Sequence, residues 1–279
     1  MYELAKTKRR ILLTIVYSLL IFASVLLLFP FFWMLSASLK PDKEVFAVPV
    51  QWLPENPLWS NYTNIWTRIP LLTYLRNTTF LTVTVTLLQL LTSSFAAYAF
   101  SKLDFKGKNT MFMLYVGSIA VPWQAYMVPQ FIMFSTMGLF NTHASIIILQ
   151  AFTAFGVFLM KQFYDSIPNE LIEAARIDGL SEYRIWRTIV LPLSKPVLAT
   201  LTIFAFVFTW NDFLGPRLYL ANQNLWTVQI GMRLFIGQNA TEFGLIMAIA
   251  TVSLVPILIL FLALQKFFVQ GIATSGLKG

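Results

Sequence analysis

Few side chains in this sequence could do chemistry. The clearest is Asp212, in the run Trp210-Asn-Asp-Phe213, an acidic group at the end of a long apolar stretch. Such a carboxylate either handles a cation or a polar solute, or is a helix-end residue facing a polar layer. A proton relay would use several acids in depth, and this chain offers essentially one. The single histidine, His143, rules out a multi-histidine metal cluster, and the absence of cysteine rules out a thiolate ligand, a thiol nucleophile or a disulfide framework. No G-x-x-x-x-G-K-[ST] occurs, since Gly107-Lys108 lacks the upstream glycine and the hydroxyl residue. There is no G-x-S-x-G and no H-E-x-x-H. Hence no ATP site, nucleophile–base pair or metal centre is expected, and the chain is read as non-enzymatic. Gln89, Gln124 and Gln150 lie in apolar runs, where they could bond to a neighbouring helix or face a polar pathway.

Charge is concentrated in one place, residues 166–192, which read as two short helices joined at Gly179. Ser166 is suited to cap the first, with Pro168 in its first turn and Glu170 and Glu173 near its positive end. Gly179 can adopt the left-handed conformation that stops a helix. Ser181 is placed to cap the second helix, and Pro192 to end it. Leu171, Ala174, Ala175 and Asp178 recur at three- and four-residue spacing, which predicts a shared face. Two alanines there allow close approach of a partner, with Arg176 and Asp178 as polar contacts around it. The other physical reading is a helix lying on a membrane, with Arg184 and Arg187 toward lipid phosphates.

Composition settles the solvent. The 279 residues are 57% hydrophobic and 11% charged, with mean hydropathy +0.69. A water-soluble domain carries about 25% charged residues, so the expected solvent is a bilayer. An uncharged run follows Lys6, Lys8, Arg9 and Arg10 and is far longer than a signal-peptide core, so a retained first span is expected over about 11–35. The segment 36–70, rich in proline and tryptophan, is expected outside the hydrocarbon. A membrane core is expected over 71–268, with spans near 77–101, 110–128 (interrupted by Pro122), 144–163, 196–214 and 243–264. Residues 269–279 form a tail. The whole chain is thus read as one all-α polytopic membrane domain with six spans. With the N-terminus inside, fourteen Lys and Arg fall on the inner side and six on the outer side. This asymmetry obeys the positive-inside rule, makes both termini and the 166–192 elbow cytoplasmic, and explains the net charge of +8 without nucleic acid.

Glu173-Ala-Ala, three residues, Gly179, nine residues, then Ile189-Val-Leu-Pro192 resembles the EAA signature of ATP-binding-cassette importer permeases, without a gap over 20 positions. The six-span layout, the Trp-Asn-Asp-Phe run, the proline- and tryptophan-rich first outer segment and the Gly-Leu-Lys-Gly ending resemble the maltose-type carbohydrate-uptake permeases, in particular the shorter partner of a permease pair. The resemblance implies a type I importer fold in a bacterial or archaeal cytoplasmic membrane and a role in taking up a di- or oligosaccharide. The same architecture could instead carry a polyol or a glycerophosphodiester; a self-contained channel or proton-coupled carrier is the reading from another class. The resemblance further implies a homologous second permease, two ATPase subunits that hold ATP and magnesium, an extracytoplasmic solute-binding protein, and no cofactor on this chain. Carried over by position, Glu173, Ala174, Ala175, Arg176, Asp178 and Gly179 are ATPase-coupling residues, supported by Pro168, Leu171, Leu191 and Pro192. Asn222, Gln223, Asn224 and Trp226 belong to a loop placed to meet the binding protein, and the tail to reach between the ATPases. No sugar-contacting residue follows from the resemblance.

Overall fold

The computed structural model describes residues 2–237 and 241–275, with side chains described for 9–237 and 241–267. Among the described residues helices dominate and no strand forms beyond an isolated bridge between Ile236 and Thr241. Among the described residues, four helical segments are long and apolar enough to cross a bilayer: Arg9–Ser38, Leu71–Lys102, His143–Asp165 and Phe243–Phe267. A fifth arises if Glu182–Leu193 and Lys195–Asn211, bent by 81°, are one broken span. The first of these exposes nearly all its large apolar side chains, from Ile11 to Leu35, a surface that only lipid would solvate.

The described residues fall into two compact units. One comprises residues 1–69 and 232–254. Its segment after the first helix is a folded strap. The buried Lys40 donates to the Gln51 carbonyl and lies 4.5 Å from the Trp33 ring centre. Asn61, at the start of helix Ser60–Arg68, donates to the carbonyls of Ser38 and Lys40, at 2.9 and 3.2 Å. Arg68 pairs with Glu242, and the Gly244 amide donates to Asp42 at 2.9 Å. A Cβ on Gly244 would stand 2.6 Å from the Lys40 carbonyl oxygen, so the close approach requires glycine.

The other unit comprises residues 70–231 and 255–279. Its axis is the 32-residue helix Leu71–Lys102, against which Ala154–Asp165 and Lys195–Asn211 pack. Small side chains set the first of these approaches. A Cβ on Gly156 would lie 2.4 Å from Ser93 Oγ and 2.6 Å from Thr153 Cγ2, so the two backbones meet where neither carries bulk.

The third span is interrupted around Pro122, as expected. Lys108–Gly117 gives way to two short 3₁₀ turns, Ser118–Ala120 and Trp123–Ala125, before Met127–Thr136. Pro122 is the cause: it has no amide hydrogen to continue the helix and forces Val121 into an extended conformation. The fourth is also interrupted, between His143–Gln150 and Ala154–Asp165. Backbone groups freed inside a bilayer need partners, and the axial helix supplies them. Gln89 Nε2 donates to the Gln150 carbonyl at 2.7 Å and Thr92 Oγ1 to the Ala151 carbonyl at 2.8 Å. Thr153 then caps the next helix by accepting from the Gly156 amide. The expected tail falls partly beyond what is described: the backbone of Phe243–Ser275 is helical, and 276–279 lie outside the described residues.

Gly156→Ala should force Ser93 and Thr153 aside and destabilise the unit by about 1–3 kcal/mol. In detergent this would appear as a lower midpoint of thermal unfolding, partly restored by Ser93→Ala, which removes the nearest obstructing atom.

Candidate functional site

The elbow begins where Ala154–Asp165 ends. Ser166 does not cap the helix that follows; its Oγ donates back to the Phe163 carbonyl at 2.7 Å and finishes the preceding one. Pro168 then takes the N-cap position of Asn169–Ile177, one step earlier than a first-turn residue, and its lack of an amide hydrogen costs nothing there. Glu170 is in the first turn. At the other end Gly179 has φ +80°, with no atom within 4 Å of where its Cβ would be. The demand for glycine is therefore purely conformational. The Leu180 amide donates to the Ala175 carbonyl and the Gly179 amide to the Arg176 carbonyl, both at 3.0 Å. This is a Schellman closure, and partly buried Leu180 packs against the core beneath it.

Ser181 occupies the N-cap of Glu182–Ile185, although its side chain makes no capping bond. The second helix does not stop at Pro192. It passes through a π-helical turn, Trp186–Val190, and on through Leu191–Leu193, and the chain bends only at buried Ser194. Pro192 follows directly on that π turn, where the α-helical hydrogen-bond ladder is already interrupted. There Trp186 Nε1 donates to Ser94 Oγ at 2.8 Å, and Ser94 is 2.7 Å from the Tyr164 hydroxyl.

The expected shared face divides. Ala175 turns inward, 5% exposed, together with Ile172 at 2%. Both join a buried cluster with Tyr98, Met160, Tyr164 and Ile185. Leu171, Glu173, Ala174 and Asp178 are exposed, and Ile177 is 86% exposed. The outward side of this short helix therefore pairs two large apolar side chains, Leu171 and Ile177, with alanine and acids. Ile177 carries the most exposed aliphatic surface of the elbow, and spacing alone missed it because the alanines drew the predicted face one position round. Pro192 is exposed and Leu191 packs against the buried cluster.

Arg176 is turned toward the protein. Its guanidinium donates to Glu182 at 2.7 and 3.3 Å and to the Lys102 carbonyl at 3.1 Å, and the Tyr98 hydroxyl donates to the same carboxylate at 2.5 Å. Hydrogen bonding to Glu182 raises the Arg176 pKa further, so the clamp stays charged. Lys102 Nζ donates to the Ile167 carbonyl at 2.7 Å and to Asn169 Oδ1 at 2.8 Å. Both halves of the elbow are thus tied to the end of the axial helix.

The second expected site, within 219–241, has a rigid start; 238–240 lie outside the described residues. Asn141, in the left-handed region at φ 59°, accepts from the Ala221 and Asn222 amides at 3.0 and 2.8 Å. His143 Nε2 contacts the Leu225 carbonyl at 3.0 Å, and Asn77 donates to the carbonyls of Asn224 and Trp226. Asn222, Gln223 and Asn224 are exposed at the tip. Trp226 differs from them: it is buried, donating through Nε1 to the Leu220 carbonyl at 3.0 Å, and so anchors the loop. The clue in the sequence was Asn141, a residue tolerant of left-handed backbone placed between two apolar runs.

A cavity of about 790 Å³ opens beside the interrupted helices and is lined by Gln89, Trp123, Gln124, Gln150 and Asp212 among others. The Asp212 carboxylate accepts from Gln150 Nε2 at 2.7 Å and from the Gly215 amide at 3.2 Å. Of the glutamines, Gln89 and Gln150 bond to neighbouring segments and also line the cavity, whose wall is otherwise largely apolar.

Residues 89–274 match the family described as binding-protein-dependent transport system inner membrane components. The chain is 34% identical over 279 residues to a melibiose/raffinose/stachyose import permease protein of Bacillus subtilis, covering 99% of both chains. It is 32% identical to an arabinooligosaccharides transport system permease protein of Halalkalibacterium halodurans, covering 96% of both. It is 30% identical to an sn-glycerol-3-phosphate transport system permease protein of Salmonella typhi, over 96% of this chain and 98% of that one. Among solved structures it resembles a bacterial ABC transporter involved in the import of the acidic polysaccharide alginate, with TM-score 0.79, 26% identity, and coverage of 93% and 97%.

Gly179→Val should place a β-branched residue in the left-handed region, at a cost of at least about 1–2 kcal/mol. Limited proteolysis should then cut at 178–182 faster than in the unaltered protein, with membrane insertion unchanged.

Proposed function

The chain belongs to the family of binding-protein-dependent transport system inner membrane components, and from that premise we propose that it is the transmembrane subunit of an ATP-driven importer for a di- or oligosaccharide. The observation that carries this reading is the elbow: a short, buttressed helix with large apolar side chains facing outward, in a chain with no ATP-binding motif of its own. Energy must therefore enter from another subunit, and the elbow is built to receive it. In this reading Leu171, Glu173, Ala174, Ile177 and Asp178 enter a cleft on an ATPase subunit, which holds ATP and magnesium. Ala175, Arg176 and Gly179 set the angle and stiffness of the helix, with Pro168, Leu191 and Pro192 shaping its approaches. A rigid lever passes on displacement that a loose loop would absorb.

The complete importer has this chain paired with a homologous, non-identical permease, two ATPase subunits and an extracytoplasmic solute-binding protein. The chain crosses the cytoplasmic membrane six times as one membrane domain, with both termini and the elbow cytoplasmic. Lys108–Gly117 and Met127–Thr136 together make the third crossing. Asn222, Gln223 and Asn224 face the binding protein, and the segment after 268 faces the ATPases. Supporting this topology is the excess of Lys and Arg on the proposed inner side. Sugar as the solute is supported by the melibiose/raffinose/stachyose and arabinooligosaccharide relatives. The sn-glycerol-3-phosphate relative favours a second reading, a phosphorylated polyol; the charge along the solute pathway separates the two.

Proteoliposomes containing this chain alone should show no ATP hydrolysis and no concentrative uptake, and either activity would contradict the subunit reading. In the complete importer, Ile177→Asp should lower ATPase co-purification and uptake by at least about tenfold, the loss of one interface anchor. Pairing with the second permease should be unaffected.

A further inference from the structure

The cavity beside Asp212 has a charge pattern that none of the matched proteins' names assigns. Among the described residues its lining includes no lysine or arginine, and Asp212 is its one ionisable acid. The carboxylate is held by two donors, Gln150 Nε2 and the Gly215 amide. Gln150 is itself held by Thr209 Oγ1, which donates to its Oε1 at 2.9 Å. Gly215 leaves the space the acid occupies: a Cβ there would stand 2.5 Å from Asp212 Oδ2. Around it the cavity offers the amide of Gln124 and the aromatic rings of Trp123, Tyr126 and Phe208.

The geometry points to Asp212 as a specificity-determining residue that makes this chain's side of the solute pathway pass uncharged or cationic polyhydroxylated solutes and turn away phosphate- and carboxylate-bearing ones. A hydroxyl can donate to the carboxylate and bond to a glutamine amide, while a ring face lies on tryptophan or phenylalanine. An anion would meet a like charge in a space where water cannot fully screen it, with no lysine or arginine among the described lining residues to offset it. This deepens the proposal of an importer subunit and rests on it. It also separates the two readings of the solute, in favour of neutral sugar.

The absence of native cysteine permits a direct test that does not depend on knowing the solute. Ser118, exposed in the same cavity, is changed to Cys within the complete importer, the other subunits having been made cysteine-free. The rates of modification by cationic trimethylammonium-ethyl methanethiosulfonate and anionic sulfonatoethyl methanethiosulfonate are compared, each relative to a small free thiol. With Asp212 present the cationic reagent should be favoured roughly tenfold. Asp212→Asn should bring the ratio close to one, and Asp212→Glu should retain it, which separates charge from disruption of the fold. An unbiased ratio in the unaltered background, an unchanged ratio in Asp212→Asn, or no reaction with either reagent overturns the inference. ATP-driven uptake of raffinose by the same importer reports independently on the underlying reading. If uptake persists while the bias is absent, only the charge filter fails.

Discussion

The clamp at Arg176 is the interaction on which the elbow depends. One guanidinium joins Glu182 on the second elbow helix to the Lys102 carbonyl at the end of the axial helix, while Tyr98 holds the same carboxylate from beneath. An exposed ion pair alone contributes about 0–1 kcal/mol, and this one is 39% and 42% exposed at its two side chains. Its importance lies in direction rather than strength. Most of the stabilisation comes from Ile172, Ala175, Ile185 and Trp186, packed into one core; full burial of a large aliphatic side chain contributes about 1.5–3 kcal/mol. The clamp fixes which way the helix points once that core has formed.

The same economy of polar groups recurs deeper in the unit. Gln89 and Thr92 satisfy the carbonyls exposed where a helix is interrupted, and the interruption opens the cavity. Broken helices in lipid are tolerated where such partners exist. One axial helix thus bonds at its end to the elbow, through Tyr98 and Lys102, and near its middle to the cavity edge, through Gln89 and Thr92. The elbow and the residues around Asp212 are thereby joined to the same helix.

Much of this was legible in the residues. The apolar runs located the long helices, and Gly179 was identified by its chemistry before its φ was known. Other features depended on tertiary partners. Ser166 has two helices within reach, and spacing cannot tell which carbonyl its hydroxyl prefers. Pro192 reads as a stop, yet it follows a π turn where the regular ladder is already broken, and the bend comes at Ser194. The inward turn of Ala175 and the outward turn of Ile177 follow from which side the core lies on, which a nine-residue helix does not reveal alone. Trp226 reads as a loop contact because its neighbours are polar, while its indole finds the Leu220 carbonyl inside. The interruption after Gln150 has no proline or glycine to announce it; its signal is on another helix, at Gln89 and Thr92.

The central claim is that the outward face of Asn169–Ile177 is covered by the ATPase. A single cysteine at position 177, in a chain that has no other, tests it directly. Maleimide labelling of Ile177→Cys should be fast in membranes that hold the permease pair without the ATPase, and slowed at least about tenfold once the ATPase subunits bind. Equal labelling in the two preparations, with the ATPase bound and turning over, would contradict the account.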